Sequence, residues 1–168
     1  MTFTAWIGLG ANLGEPDRQL IMAVAALDTH PALALDAVSR LYRSAPIGPA
    51  GQPDYANAAV RLRTDLTPHS LLRALQAIEN AAGRVRAERW GPRLLDLDLL
   101  LFEADEIRST DLTVPHPELV NRAFVIQPLL DLDPALALPN GTKLASLQAA
   151  TEPAGLSVVA DSDWWRSR

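Results

Sequence analysis

Two hydrophobic periods alternate along this chain. Residues 4–10 form a short apolar run closed by glycine, the mark of a strand. Residues 16–27 then place Leu20, Ile21, Val24 and Leu27 at helical spacing behind Glu15 and Asp17. Residues 33–42 read as a second strand, leading into a long loop over 44–54 that carries Pro46, Gly48, Pro49, Gly51 and Pro53. Residues 55–63 alternate Ala56, Ala58, Val60 and Leu62 with Tyr55, Asn57, Arg61 and Arg63, the pattern of a half-buried strand. A second helix follows, with Thr67 as its N-cap, Pro68 in its first turn, Leu71, Leu72, Leu75 and Ile78 as its apolar stripe, and Gly83 as its stop. Residues 94–102 are a fourth strand.

The order βαββαβ predicts an α+β, ferredoxin-like core, an antiparallel sheet with helices packed on one face. C-terminal additions follow it. A turn at 103–105 is expected to return a short strand near 106–108. Residues 118–130 and 142–150 read as helices separated by Asp133-Pro134 and Pro139-Asn140-Gly141. Residues 156–159 offer an edge strand, and Trp164-Trp165 either pack back on the body or contribute nothing. The segment Gly8-Leu9-Gly10-Ala11-Asn12-Leu13-Gly14 has the spacing G-x-G-x-x-x-G, which is not a dinucleotide fingerprint; its glycines are expected to permit a tight strand-to-helix turn.

At 168 residues with 48% hydrophobic content, the chain is long enough for one well-buried core, so a single domain over 1–168 is expected. There is neither an apolar run long enough to cross a bilayer nor the layout of a secretory signal, which predicts a cytoplasmic protein, expected to be a monomer. The absence of cysteine excludes disulfides and thiolate metal sites. A net charge of -5 argues against nucleic-acid binding, although all of the 15 basic residues except Lys143 are arginine.

The positive charge is local. Arg84, Arg86, Arg89 and Arg93 crowd one turn-forming segment, and Asp96 and Asp98 follow it among Leu94, Leu95, Leu97, Leu99, Leu100, Leu101 and Phe102. Guanidinium groups match phosphate oxygens with forked hydrogen bonds, whereas carboxylates reach a polyphosphate only through a divalent metal. With a side-chain period of two, Asp96 and Asp98 point to one face, spaced to share one metal or to bridge two. A magnesium nucleotide is the expected ligand. A structural ion pair between these aspartates and nearby arginines is the bland alternative, but buried charge among leucines needs compensation that a metal supplies.

The run Arg89-Trp90-Gly91-Pro92-Arg93-Leu94-Leu95-Asp96-Leu97-Asp98 resembles the signature of the 6-hydroxymethyl-7,8-dihydropterin pyrophosphokinases, enzymes of folate biosynthesis. The resemblance extends upstream to Tyr42-Arg43-Ser44-Ala45-Pro46 and Asp54-Tyr55-Ala56-Asn57. Downstream it takes in Leu112-Thr113-Val114-Pro115-His116-Pro117 and Asn121-Arg122-Ala123-Phe124, so that it covers residues 4–148 and leaves 151–168 as a tail. It implies transfer of pyrophosphate from MgATP to the pterin hydroxymethyl group, by attack on the β-phosphorus with release of AMP. Asp96 and Asp98 would hold magnesium, with two ions expected. Ser44, Ala45, Pro46, Tyr55, Asn57 and Phe124 would take the pterin, its ring lying between Tyr55 and Phe124. Gln76, Glu79, Arg84, Arg93, Leu99, Thr113, His116 and Arg122 would meet the nucleotide, while Arg84, Arg86, Arg89, Trp90 and Arg93 act on the polyphosphate from a loop that closes over substrate.

This chain departs from the pattern in places: the Arg86-Ala87-Glu88-Arg89 stretch is one residue shorter than in related bacterial sequences, Asp111 stands where some carry a basic residue, and Pro117 replaces an aromatic. Two other functions fit the residues less well. A metal-dependent phosphohydrolase would require further carboxylate or histidine ligands, and a non-catalytic pterin or nucleotide-binding module would not need two aspartates on an apolar strand.

Overall fold

A computed structural model of the chain describes residues 1–45, 53–83, 95–153 and 155–166. The expectations placed on Pro46, Arg84, Arg86, Arg89, Trp90, Arg93 and Leu94, and on closure of the loops that contain them, lie outside the described residues.

The α+β, ferredoxin-like expectation holds. β1 (Phe3–Ala11) leads to α1 (Pro16–Thr29), then β2 (Leu33–Val38), β3 (Leu41–Ser44), β4 (Tyr55–Thr64), α2 (Pro68–Gly83) and β5 (Asp96–Phe102). The main sheet has the order β5-β1-β4-β3, with β2 also on β4, and every pairing is antiparallel. Thr67 caps α2 as expected, its Oγ1 accepting the Ser70 N–H at 3.2 Å. Ala5, Ile7, Leu9 and Ala11 on β1, with Ala56, Ala58, Val60 and Leu62 on β4, turn one sheet face toward α1 and α2. There they pack with Leu20, Val24, Leu27, Leu71 and Leu75 in one core.

Several expected elements change shape. The single strand over 33–42 is two, because Ser39 and Arg40 interrupt it. Ser39 donates its N–H to the Ala59 carbonyl, and its Oγ accepts the Ala59 N–H at 2.9 Å, so the side chain takes a place in the ladder. The strand near 106–108 does not return along β5. It is β6 (Ile107–Arg108), and it pairs with β7 (Thr113–Val114) in a separate two-stranded sheet. The expected helix over 118–130 breaks at Arg122, whose extended backbone (φ -121°, ψ 107°) separates a 3-10 turn at Leu119–Asn121 from α3 (Ala123–Leu132). The helix expected over 142–150 reduces to a 3-10 turn at Leu144–Ser146 and the single turn α4 (Gln148–Thr151). The tail does form an edge strand, β8 (Leu156–Ala160) on β3, and Trp164 is buried in the main core.

Helices do not keep to one face. Trp6 faces Leu101 while Ile7 faces Leu99, so Leu100 is an extra residue in β5. A bulge of this kind resets the alternation. Leu100 and Leu101 both join a second core, with Ala59, Leu119, Ile126 and Leu129, on the face opposite α1 and α2. This second core covers only part of that face.

α3 is tied down at its far end. Asp131 accepts from Arg40 Nε (3.2 Å) and Nη2 (3.0 Å) and from the Tyr42 hydroxyl (2.7 Å). Burial, and then the bond to Asp131, push the Tyr42 hydroxyl well above the ordinary phenol range, so it stays a donor. Asp131→Ala would strand the buried phenol; a loss of about 2–3 kcal/mol is expected from the orphaned donor and the broken pair. Urea unfolding checks this, and a loss under ~0.5 kcal/mol, the scatter of ordinary surface substitutions, would show that the pair holds nothing in place.

Candidate active site on the open sheet face

The site follows from strand register. Gly10 on β1 sits between Asp96 on β5 and Asn57 on β4, and one pair along, Gly8 sits between Asp98 and Ala59. Two carboxylates therefore flank one side of a trough floored by glycine, and an amide flanks the other. Two strand spacings separate Asp96 from Asn57, on the order of 10 Å, a span suited to a flat bicyclic ring. The glycines keep the floor low. A Cβ on Gly8 would come within 3.2 Å of Leu100 Cδ1, and one on Gly10 within 3.8 Å of Asn57 Oδ1. Gly8 and Gly10 are thus strand residues, against the expectation that all three glycines serve the turn. Only Gly14, at φ 65°, serves it.

Above this floor is a cavity of about 250 Å³, lined by Ser44, Ala45, Tyr55, Asn57, Asp96, Asp98, Arg122 and Phe124 together with Gly8, Gly10 and Leu100. Eight of the residues singled out from sequence thus share one cavity, although they come from β3, β4, β5 and the start of α3. The break at Arg122 is what brings the last two in. Had the helix run unbroken from 118, Arg122 would lie inside it. As the cap it stands beside Phe124, its guanidinium carbon 5.6 Å from the ring centre.

Asn57 is only 3% exposed and its amide is oriented. Nδ2 donates to Ser44 Oγ at 2.7 Å and more weakly to the Tyr55 carbonyl at 3.4 Å, an arrangement that leaves Oδ1 as acceptor. A ligand read here must present a hydrogen-bond donor.

Asp96 and Asp98 are half-buried, not fully buried as the sequence suggested, and both open on the cavity. Asp98 has no hydrogen-bond or ion-pair partner among the described residues. A half-buried carboxylate pair on one strand face, all hard oxygen, fits a magnesium ion bound through its nucleotide. Among the described residues no group of three or more histidine, cysteine or acidic side chains could form a protein-only metal cage.

The remaining nucleotide candidates lie outside this cavity. Gln76 is exposed on α2. One turn on, Glu79 Oε2 accepts the Leu97 N–H at 2.7 Å, fixing the edge of β5 between the two aspartates. Leu99 is buried in the α1/α2 core, so its side chain points away from Asp98. Thr113 is exposed on β7. His116 is held against β5 by its N–H on the Leu100 carbonyl (3.0 Å), and its Nδ1 accepts the Glu118 N–H at 3.2 Å. In the neutral ring that bond puts the proton on Nε2, which is then a donor. Sequence reading missed Leu100; the resemblance places the stretch holding Gly8 and Gly10 on the pterin side, and the even-numbered phase of β1 puts both glycines on the face away from the helices.

Comparison with known proteins bears on this geometry. A family model described as 7,8-dihydro-6-hydroxymethylpterin-pyrophosphokinase (HPPK) matches residues 6–134. A 2-amino-4-hydroxy-6-hydroxymethyldihydropteridine pyrophosphokinase of Pseudomonas aeruginosa is 50% identical over 145 residues, 86% of this chain and 90% of that protein. Its counterpart from Haemophilus influenzae is 46% identical over 144 residues, with the same shares covered. In fold, the chain is similar to an HPPK-DHPS structure determined with substrates, at a TM-score of 0.72 and 12% identity, over 94% of this chain and 46% of that one. A Plasmodium falciparum HPPK-DHPS chain gives 0.67 at 14% identity, over 86% of this chain and 43% of that one. This chain spans less than half the length of either.

Proposed function

We infer what this chain does from one premise: it belongs to the 7,8-dihydro-6-hydroxymethylpterin-pyrophosphokinase family. It transfers pyrophosphate from ATP to the hydroxymethyl group of 6-hydroxymethyl-7,8-dihydropterin, giving AMP and the pterin pyrophosphate, a step of folate biosynthesis. The observation that carries this reading is the single cavity in which Asp96 and Asp98 face Asn57, Tyr55 and Phe124 across a glycine floor. Phosphate chemistry and ring recognition meet in one place.

In our reading, the pterin lies between Tyr55 and Phe124, with Ser44, Ala45 and Pro46 at its edge and Asn57 Oδ1 accepting one of its N–H groups. Stacking and an oriented acceptor fix the ring in its plane, so the hydroxymethyl oxygen is held toward β5. Asp96 and Asp98 would hold magnesium carried in with ATP, and two ions is our proposed number. When bound, the metal offsets phosphate charge and makes phosphorus more electrophilic. Arg122, which has no carboxylate partner among the described residues, presents its guanidinium to the triphosphate. Arg84, Arg86, Arg89, Trp90 and Arg93 are proposed to act on the same charge, and Gln76, Glu79, Leu99, Thr113 and His116 to form the nucleotide side. The pterin hydroxyl loses its proton to solvent as its oxygen bonds to the β-phosphorus, the bond from that phosphorus to the α-phosphate oxygen breaks, and AMP leaves. Holding both reactants in line accounts for much of the rate, because no covalent enzyme intermediate is required.

Residues 1–168 are proposed to act as one unit, monomeric and cytoplasmic. Among the described residues no helix is long and apolar enough to cross a membrane. The deciding assay mixes protein, ATP, magnesium and 6-hydroxymethyl-7,8-dihydropterin and separates the nucleotides. AMP that appears only with the pterin is expected. AMP or ADP formed equally well without it would identify a hydrolase and overturn the reading; no nucleotide product at all would leave a binding module.

A further inference from the structure

The match to the family model ends at residue 134, yet the chain beyond it returns to the proposed pterin site. β8 lies along β3 on the side away from β4, with Leu156 opposite Ser44 and Ser157 opposite Arg43. The Ala45 N–H donates to the Gly155 carbonyl at 3.3 Å. Further on, Trp164 enters the core and its Nε1 donates to the Ser39 carbonyl at 2.9 Å. Ser39 is itself fastened to Ala59 through both its N–H and its hydroxyl. The stretch from Ser39 to Ala45 is therefore held at both ends by the C-terminal segment. Between those ends stands Ser44, whose hydroxyl accepts the Asn57 amide at 2.7 Å.

We propose that the segment from Gly155 to Trp164 is a positioning element for ring recognition: it sets Ser44 and Ala45, and through Ser44 the Asn57 amide, without touching the ligand itself. The proposal rests on the reading of the cavity as the pterin site. β3 has four residues, and a strand that short at a bare sheet edge frays, since half of its backbone groups would bond only to water. Fraying would release Ser44 Oγ, and the amide would lose the bond that turns Oδ1 outward. The ligand would then have to order both groups as it binds. The nucleotide side is insulated from this. Asp96 and Asp98 lie on β5, at the opposite end of the β5-β1-β4-β3-β8 order.

Gly155 provides the test because it takes φ +77°, which L side chains rarely adopt. Among the described residues a Cβ there would meet only Ala45 Cβ, at an ordinary 3.9 Å, so Gly155→Ala strains the backbone that accepts from Ala45 without a steric clash with any of them. Trp164→Phe keeps an aromatic ring in the core and removes the donor to Ser39. Both variants are made in the full chain, and AMP formation is followed while each substrate is varied in turn. KM for the pterin should rise about fivefold or more in Gly155→Ala and about two- to fivefold in Trp164→Phe, with KM for ATP and kcat within about twofold of wild type. Gly155→Asn, which tolerates a left-handed backbone, should recover most of the pterin KM. A parallel rise in both KM values, or a lowered Tm with the pterin KM unchanged, would reduce the segment to general stability and overturn the proposal. If Gly155→Ala does not fold, Trp164→Phe and Gly155→Asn decide by the same split. A wild-type protein that forms no pterin-dependent AMP would instead refute the functional reading, before any variant is compared.

Discussion

Asp98→Ala is expected to lower turnover by at least about a hundredfold, ~2.7 kcal/mol in barrier, while the protein stays folded. Both parts follow from where the carboxylate sits. It is half-buried on the open face of β5, and it has no partner among the described residues, so removing it relieves charge and orphans none of them. Its proposed use is to hold the metal that comes with ATP, and that use ends with the carboxylate. Asp96→Ala should match it in turnover, because the two point into the same cavity from alternate positions of one strand. Asn at either position keeps the shape and loses the charge, so it separates electrostatics from packing. The readouts are kcat and both KM values by AMP release, with Tm as the check on folding. Binding of MgATP should suffer more than binding of the pterin. More than about a tenth of wild-type turnover, a loss under ~1.4 kcal/mol, in either alanine variant would count against these residues as metal ligands.

Phe124→Ala carries the second large effect, on the other ligand. The ring is half-buried at the start of α3 and lines the cavity together with Tyr55, so in the proposed arrangement truncation removes one stacking surface. Pterin affinity should fall by about 1–3 kcal/mol, roughly fivefold to a hundredfold in Kd. ATP affinity should fall as well, but less. Arg122 loses the ring beneath its guanidinium, a contact of about 0.5–1 kcal/mol at a partly exposed position, or up to about fivefold. Titrating each ligand alone tests the ordering. Equal losses for both, or a Tm drop matching the truncation of a buried core aromatic (about 3–5 kcal/mol of stability), would mean that Phe124 serves packing rather than recognition.

How much of this was legible beforehand depended on the range of the interaction that encodes it. The alternation in residues 55–63 and the leucine stripe from Leu71 to Ile78 gave β4 and α2 within a residue at either end, because each pattern is written in the element itself. The breaks at Ser39 and Arg122 were not legible. Nothing local stops a strand at Ser39; its hydroxyl takes the place of a ladder group only because Ala59 lies opposite. The degree of burial of Asp96 and Asp98 was also overestimated, since neighbouring leucines say which strand is apolar but not that one of its faces opens on a cavity.

The sequence by itself determined the alternation of elements, the α+β class, the family, and the identity of most of the residues that meet in the cavity, because periodicity and a contiguous motif are properties of neighbouring residues. Tertiary structure alone decided that Gly10 stands between Asp96 and Asn57, that Arg122 caps α3 beside Phe124, and that the tail fastens β3 through Gly155 and Trp164. Each of these depends on pairing between segments far apart in the chain, where a one-residue slip in register would send the glycines to the helix face and close the trough. That register is fixed by the combined burial of both sheet faces, a sum over the whole fold that no single stretch of sequence contains.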